Sequence, residues 1–400
     1  MRSNLAKISS RKTEDLVREV AALAAEKFSG RADDYDRQAA FPAADFQDLF
    51  EAGLNAATVP IEFGGLGVGP LSPDVFSLWM MTKEIAKADL SMARCWEGHA
   101  NSLCLIDGCG TERQKERWFE GVIERGEIWV SWSGEPQAKT PGQKSPYGTH
   151  LEKVDGGYRV SGSKVFSSSA AGADWAVLLV NTAGPGGARH SDTNAKVLLL
   201  ACPLADSSVE FDDDWWDPIG MRATVSYLVR FNDTFIPDAN VIGYAGQYLQ
   251  EGWQTRFTPQ YAASFAGAAE GAYDYARNHL ISQEKTNDPY IQHHIGRMAI
   301  NVETCQLWLR HVADLWEAGE EDAARAAGAQ VRYIVEQLTE ETVKRAIQAC
   351  GARALIKPCP LERIYRDLSF YVRHDNADHV LAMVGRSALG IEHDISFFNR

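Results

Sequence analysis

Residues 41–67, FPAADFQDLFEAGLNAATVPIEFGGLG, decide how the rest of the chain is read. Ala43 to Glu51 reads as a helix. Pro60 stops the structure before it, and Gly64, Gly65 and Gly67 allow a turn that uses positive φ. A helix ending in a tight glycine turn sets the pattern on both sides. Upstream, Leu16, Val20, Leu23 and Ala24 recur at helical spacing from Thr13, a plausible N-cap, to Phe28. Downstream, Pro73 to Asp89, Ser91 to Cys104 and Thr111 to Ile123 read as further helices, so the chain is helical up to about Gly126.

Beyond Gly126 the period changes. IWVSWSG, THLEKV, GYRVSGSKVF, ADWAVLLV, KVLLLAC and SYLVRFNDTFI are short β-branched or aromatic runs, and Asp155-Gly156-Gly157 is a hairpin signal. From about Gln247 long helical patterns return, with turns at Asn287-Asp288-Pro289, at Glu317 to Glu321 and at Pro358 to Pro360. The expected parts are helices over 1–126, a β domain over 127–243 and a helical bundle over 244–400. The sequence holds no internal repeat and no flexible tether.

Composition limits the function. Four hundred residues, 45% hydrophobic and 24% charged, can bury a large core. A net charge of -14 argues against nucleic acid or anionic membrane as partner, and favours a small-molecule substrate. The seven cysteines, with no CxxC pair, fit a reducing compartment. No apolar stretch is long enough for a signal-peptide core or a membrane span, so the expected location is the cytoplasm. The run Asp212 to Asp214 before Trp215-Trp216 reads as a solvated turn, and the tryptophans as core and pocket wall.

Five segments, in order, resemble the acyl-CoA dehydrogenase superfamily: residues 41–67, GTERQKERWF (110–119), GYRVSGSKVFSSSAAGADWAVLL (157–179), WDPIGMRATVSYLVRFNDTFIPDANVIG (216–243) and QACGARALIKPCPLERIYRD (348–367). The resemblance implies an α+β fold: an N-terminal helical domain, a central antiparallel β-barrel or sandwich, and a C-terminal four-helix bundle. It implies a flavin, FAD or FMN, between the β domain and the bundle, with a neighbouring subunit completing the site within a homotetramer. Phe166, Ser167 and Ser168 would line the flavin ring. Arg277, expected at the start of a helix, would lie with Gln348 and Gly351 near the ribityl-phosphate. Ala352 stands where relatives tend to carry a second glycine.

The family's dehydrogenases use a Glu near the C-terminus as base. Here RDLSFYVRHDNADHVLAMVGRSALG, residues 366–390, has no Glu, and counting from Arg366 puts Asp375 at that position after His374. A His-Asp pair there resembles the two-component flavin monooxygenases of the superfamily, as do His99 in CWEGHANSLC and Ser168 in VFSSSAAGAD. The implied chemistry passes through a flavin hydroperoxide formed from O2, with Ser168 holding the adjacent ring N–H and His99 and His374 managing protons and positioning the substrate. Two histidines five apart, His374 and His379, are off the spacing for one helix face, so no metal is expected. The chain carries no nicotinamide-binding GxGxxG, which fits reduced flavin arriving from a separate reductase. The alternatives are an FAD-dependent acyl-thioester dehydrogenase or oxidase with Asp375 as base, and a DNA-associated flavoprotein, which the acidic charge disfavours.

Overall fold

The computed structural model describes residues 13–136, 149–182, 197–374 and 376–391. The helices α1 (Thr13–Leu23), α2 (Ser29–Gln38), α3 (Ala43–Glu51), α4 (Val75–Ala88), α5 (Leu90–Cys109) and α6 (Glu112–Arg125) come first. One π-helical turn, Ala24–Phe28, joins α1 to α2. The sequence reading ended this helix at Phe28 because RADDYDRQ has no apolar stripe. Ion pairs hold it instead: Arg31 meets Asp48 at 2.7 Å, and the buried Asp36 receives Arg366. The glycine turn has positive φ at Gly64 and Gly67. Gly65 is needed for a different reason, since a Cβ there would meet the Val59 carbonyl oxygen at 2.1 Å.

Eight strands follow: β1 (Trp129–Trp132), β2 (His150–Val154), β3 (Gly157–Ser167), β4 (Trp175–Asn181), β5 (Val197–Pro203), β6 (Val209–Asp212), β7 (Tyr227–Pro237) and β8 (Val241–Ile242). Of the barrel and sandwich alternatives that the resemblance implies, the closed barrel is corrected: the described strands form one open mixed sheet whose parts pack on a shared core. Its order is β6-β7-β3-β2-β4-β5-β8, with β1 parallel to β4. Such parallel pairs need a covering layer. Helices α5 and α6 supply it through Leu103, Ile106, Trp118 and Phe119, which pack with Trp129, Val177 and Leu199.

The last part comprises α7 (Gln247–Gln250), α8 (Trp253–Ser282), α9 (Pro289–Glu317), α10 (Glu321–Cys350), α11 (Pro360–Tyr371) and α12 (Ala377–Ala388). The breaks fall at the expected Pro and Gly segments, with Asp288 capping α9 by accepting the Tyr290 and Ile291 N–H groups. The bundle shares its core with the N-terminal helices, from Phe46 and Trp79 to Phe265 and Val331. Helix α4 crosses α8 closely; a Cβ on Gly267 would stand 2.2 Å from the Lys83 carbonyl oxygen. Lys83 and Lys87 both bond Glu270 across that crossing. All seven cysteines are free, and no described helix is long and apolar enough to cross a membrane.

Helix α5 lies at the centre and buries every residue except Arg94, Asp107 and Gly108, polar ones included. One face meets the sheet and the other meets α8 and α11.

Candidate active site on the two faces of the central helix

On the sheet side, β3 ends in a register shift between Lys164 and Ser167 against β7. Such irregularities re-aim side chains. Here Phe166 takes φ 53° and turns a ring that is 56% exposed outward, edge-on to Trp215 at 5.1 Å and Trp216 at 6.2 Å. Trp216 in turn meets Phe370 of α11 at 5.8 Å. Ser169, Met221 and Val225 also have positive φ, and for the β-branched Val225 this is a genuine strain. Concentrated strain of this kind is typical of functional sites.

Ser168, beside Phe166, starts a chain of hydroxyls. Its Oγ lies 3.0 Å from Ser226 Oγ, which lies 2.7 Å from Thr224 Oγ, which donates to the Met221 carbonyl at 2.8 Å. A carbonyl only accepts, so the Thr224 proton points at Met221. Each hydroxyl has one proton. Ser226 must therefore donate to Thr224, and Ser168 to Ser226. The Ser168 oxygen is left with lone pairs only. Trp132 Nε1 steadies the turn by donating to the Ser168 carbonyl at 3.0 Å. Ser167 is fully buried and its Oγ has no partner among the described residues.

His99 faces the same sheet in a different way. Its Nδ1 accepts the Trp129 N–H at 3.0 Å, so the proton sits on Nε2, which donates to the Asn55 carbonyl at 2.9 Å. Burial with no anionic partner pushes its pKa down to about 4. The ring is neutral, with both nitrogens committed to backbone.

The opposite face of α5 carries Arg94 and Glu97, which the sequence reading did not single out. Glu97 is fully buried and accepts hydrogen bonds from Ser264 of α8 and Tyr371 of α11. Burial raises its pKa, opposed first by the Arg94 charge. The Arg94 guanidinium lies 5.8 Å from the Tyr261 ring centre and 5.9 Å from that of Tyr371. His374 is exposed at the mouth of this cluster, 5.5 Å from Tyr261 and 6.1 Å from Tyr371 between ring centres. A charged Arg-x-x-Glu pair inside an otherwise nearly uncharged helix was the available signal.

Asp375 lies outside the described residues. Arg277 sits in the last turns of α8 and not at a helix start, which corrects the sequence reading; it is half-exposed and pairs with Asp274 at 3.2 Å. Gln348 is exposed at the end of α10 and lines a cavity of about 600 Å3 with Val343, Ile347, Tyr365 and Leu368. Gly351, at φ 77°, ends that helix. The Arg-Asp of ERIYRD is a clamp between domains: Arg366 grips Asp36 through two bonds of 3.0 and 2.7 Å, and Asp367 accepts the Met221 N–H beside the hydroxyl chain.

Comparison with known proteins agrees with this fold. The sequence matches the acyl-CoA dehydrogenase N-terminal domain over residues 10–126 and the acyl-CoA dehydrogenase C-terminal domain over residues 256–372. The chain belongs to the acyl-CoA dehydrogenase family. Within it, the relatives place the chain in the two-component monooxygenase branch of flavin-dependent oxidoreductases. It is 26% identical to a dibenzothiophene monooxygenase of Mycolicibacterium goodii, covering 88% of each chain. It is 23% identical to the probable FMNH2-dependent monooxygenase SfnC of Pseudomonas putida, covering 92% of this chain and 94% of that one. The crystal structure of FMN-bound TdsC from Paenibacillus sp. A11-2 superposes with a TM-score of 0.84 at 23% identity, covering 96% of this chain and 100% of that one.

Proposed function

We propose that the protein takes reduced FMN from a separate reductase and uses O2 to oxidise a small organic substrate. The observation that carries this reading is the polarity of the Ser168 hydroxyl, whose proton is drawn inward by Ser226 and Thr224. A reduced flavin carries a proton on the ring nitrogen that is bare in the oxidised form, so an outward lone pair accepts from the former and opposes the latter. The residues present therefore fit a flavin and favour its reduced state. The FMN bound in TdsC and the probable FMNH2 dependence of SfnC support FMN over FAD.

Bound reduced flavin supplies two electrons to O2, one oxygen atom entering the substrate and the other leaving as water. The protein does the rest. Phe166, with Trp215 and Trp216, forms an aromatic wall that excludes water from the ring, and Ser167 completes the strand beneath it. His374, at the open mouth, moves protons between solvent and substrate, with Asp375 as its neighbour in sequence. His99 acts as a positioning residue, because its ring joins β1 to the loop of Asn55 and has no free nitrogen. Arg277, Gln348 and Gly351 serve the phosphate end of the flavin across a subunit boundary in a homotetramer, and the cavity beside Gln348 supports a shared site there. The cytoplasm suits this chemistry, since free buried thiols persist there.

The test is equilibrium dialysis of FMN under anaerobic conditions, with and without dithionite. Reduced FMN should bind at least about tenfold more tightly, a difference of roughly 1.4 kcal/mol. Equal affinity for the two forms, or bleaching of bound oxidised flavin by a saturated acyl thioester, would favour the dehydrogenase reading.

A further inference from the structure

Among the described arginines that are largely enclosed, Arg94 makes the weakest hydrogen bond; even Arg256, which also lies over two aromatic rings, bonds Glu321 at 3.0 Å. Arg332 bonds Glu336 and the Val372 carbonyl, Arg363 bonds Asp89 and the Ala88 carbonyl, and Arg366 bonds Asp36, Glu362 and the Ile219 carbonyl. Arg94 makes one hydrogen bond, to Glu97 Oε2 at 3.5 Å, the outer limit of such a contact. Glu97 does not require it, because the Ser264 and Tyr371 hydroxyls already serve both carboxyl oxygens. A guanidinium has five donors in a rigid fork. Four of them lack a partner among the described residues. They are not sealed in either: the Nε atoms of Arg256, Arg325 and Arg332 are walled off without partners, whereas no Arg94 nitrogen is, and its side chain is 15% exposed.

We propose that Arg94 anchors an oxyanion of the substrate, a carboxylate or a sulfur oxyanion, where α5 faces α8 and α11. The proposal rests on the monooxygenase reading for its location. The Arg94 guanidinium lies over the Tyr261 and Tyr371 rings, 5.8 and 5.9 Å from their centres, and their faces stabilise the cation near a bound oxyanion. Glu97 sets the position of Arg94 from one turn along α5 and spends its own bonds on hydroxyls, so the cation keeps its fork for a ligand. The ligand's reacting end then lies toward the mouth occupied by His374. A cationic substrate is excluded by the same charge.

The experiment titrates the FMN-loaded protein with benzoate, benzenesulfonate and neutral benzamide by calorimetry, without turnover. Benzoate or benzenesulfonate should bind at least about tenfold more tightly than benzamide. Arg94→Gln should weaken the anions roughly 10- to 100-fold, leaving benzamide and FMN affinity unchanged, and Arg94→Lys should fall between because it keeps the charge and loses the fork. Should Arg94→Gln not fold, benzoate must slow phenylglyoxal modification of wild-type Arg94, read by peptide mass mapping. Equal binding of benzoate and benzamide, unprotected Arg94, or a variant that loses FMN while keeping benzoate would overturn the proposal. These readings need no oxygen chemistry, so they are independent of the FMN dialysis: a preference for reduced FMN without anion binding rejects the Arg94 role alone.

Discussion

The two faces of α5 are built on opposite rules. Toward the sheet, His99 and the Ser168–Ser226–Thr224 chain use neutral groups with their protons assigned, and the chain ends on a backbone carbonyl, while the flanking Ser167 and Ser169 hydroxyls stay unpartnered among the described residues. Toward the bundle, Arg94 and Glu97 are charged groups in a buried setting, and the arginine keeps donors in reserve. The lesson is that a saturated network specifies one hydrogen-bond polarity, whereas an unsaturated charge specifies a ligand.

The largest effect should come from breaking the charged face. Glu97→Ala leaves Arg94 as an uncompensated buried charge and should cost about 3–5 kcal/mol of unfolding free energy by urea denaturation. Glu97→Gln should cost less, because an amide still partners the Ser264 and Tyr371 hydroxyls. An Ala variant within about 1 kcal/mol of wild type would mean that the cluster is solvated and not desolvated.

The neutral face should respond to pH. His99 has its folded pKa lowered to about 4 against about 6.5 when unfolded. The unfolded chain therefore binds the extra proton first. The His99 contribution is fully present above about pH 6.5 and is lost as pH falls toward 4, a total of about 3 kcal/mol. Asp45 and Asp367, which burial pushes up to about 7, titrate in the same window with the opposite sign. The quantity to read is thus wild type minus His99→Gln, which should fall by about 3 kcal/mol between pH 7 and pH 4; a flat difference would show that the ring is not held neutral.

Two smaller changes sharpen the comparison. Ser168→Ala removes the outward acceptor, and the fraction of O2 released as hydrogen peroxide should rise, with the uncoupled rate roughly 5- to 150-fold faster for a loss of about 1–3 kcal/mol. Affinity for oxidised FMN should rise slightly, because the opposing lone pair is gone. Thr224→Val, at the far end of the chain, keeps Ser168 but frees the Ser226 proton to point either way. It should reduce the preference for reduced over oxidised FMN about fivefold, or about 1 kcal/mol, in the same dialysis. An unchanged preference would show that polarity is set at Ser168 alone.

The sequence by itself determined the element order, the positions of the turns, the family and the strand tip that holds Phe166, Ser167 and Ser168. These depend on local period, on proline and glycine stereochemistry, and on ordered motifs along one chain. It overlooked α2, because a helix held by Arg31, Asp45, Asp48 and Arg366 leaves no apolar stripe to read. It set His99 beside His374 as a proton carrier, because residue type does not disclose that both nitrogens of one ring are taken by Asn55 and Trp129. Only the tertiary structure decided the open sheet, the direction of the Ser168 hydroxyl and the reserve of donors on Arg94. Each of these depends on partners far apart in the chain, such as Glu97 with Ser264 and Tyr371, or Ser168 with Ser226. A hydrogen bond's direction and a charge's unmet donors are properties of a three-dimensional neighbourhood, and no periodicity along the chain encodes them.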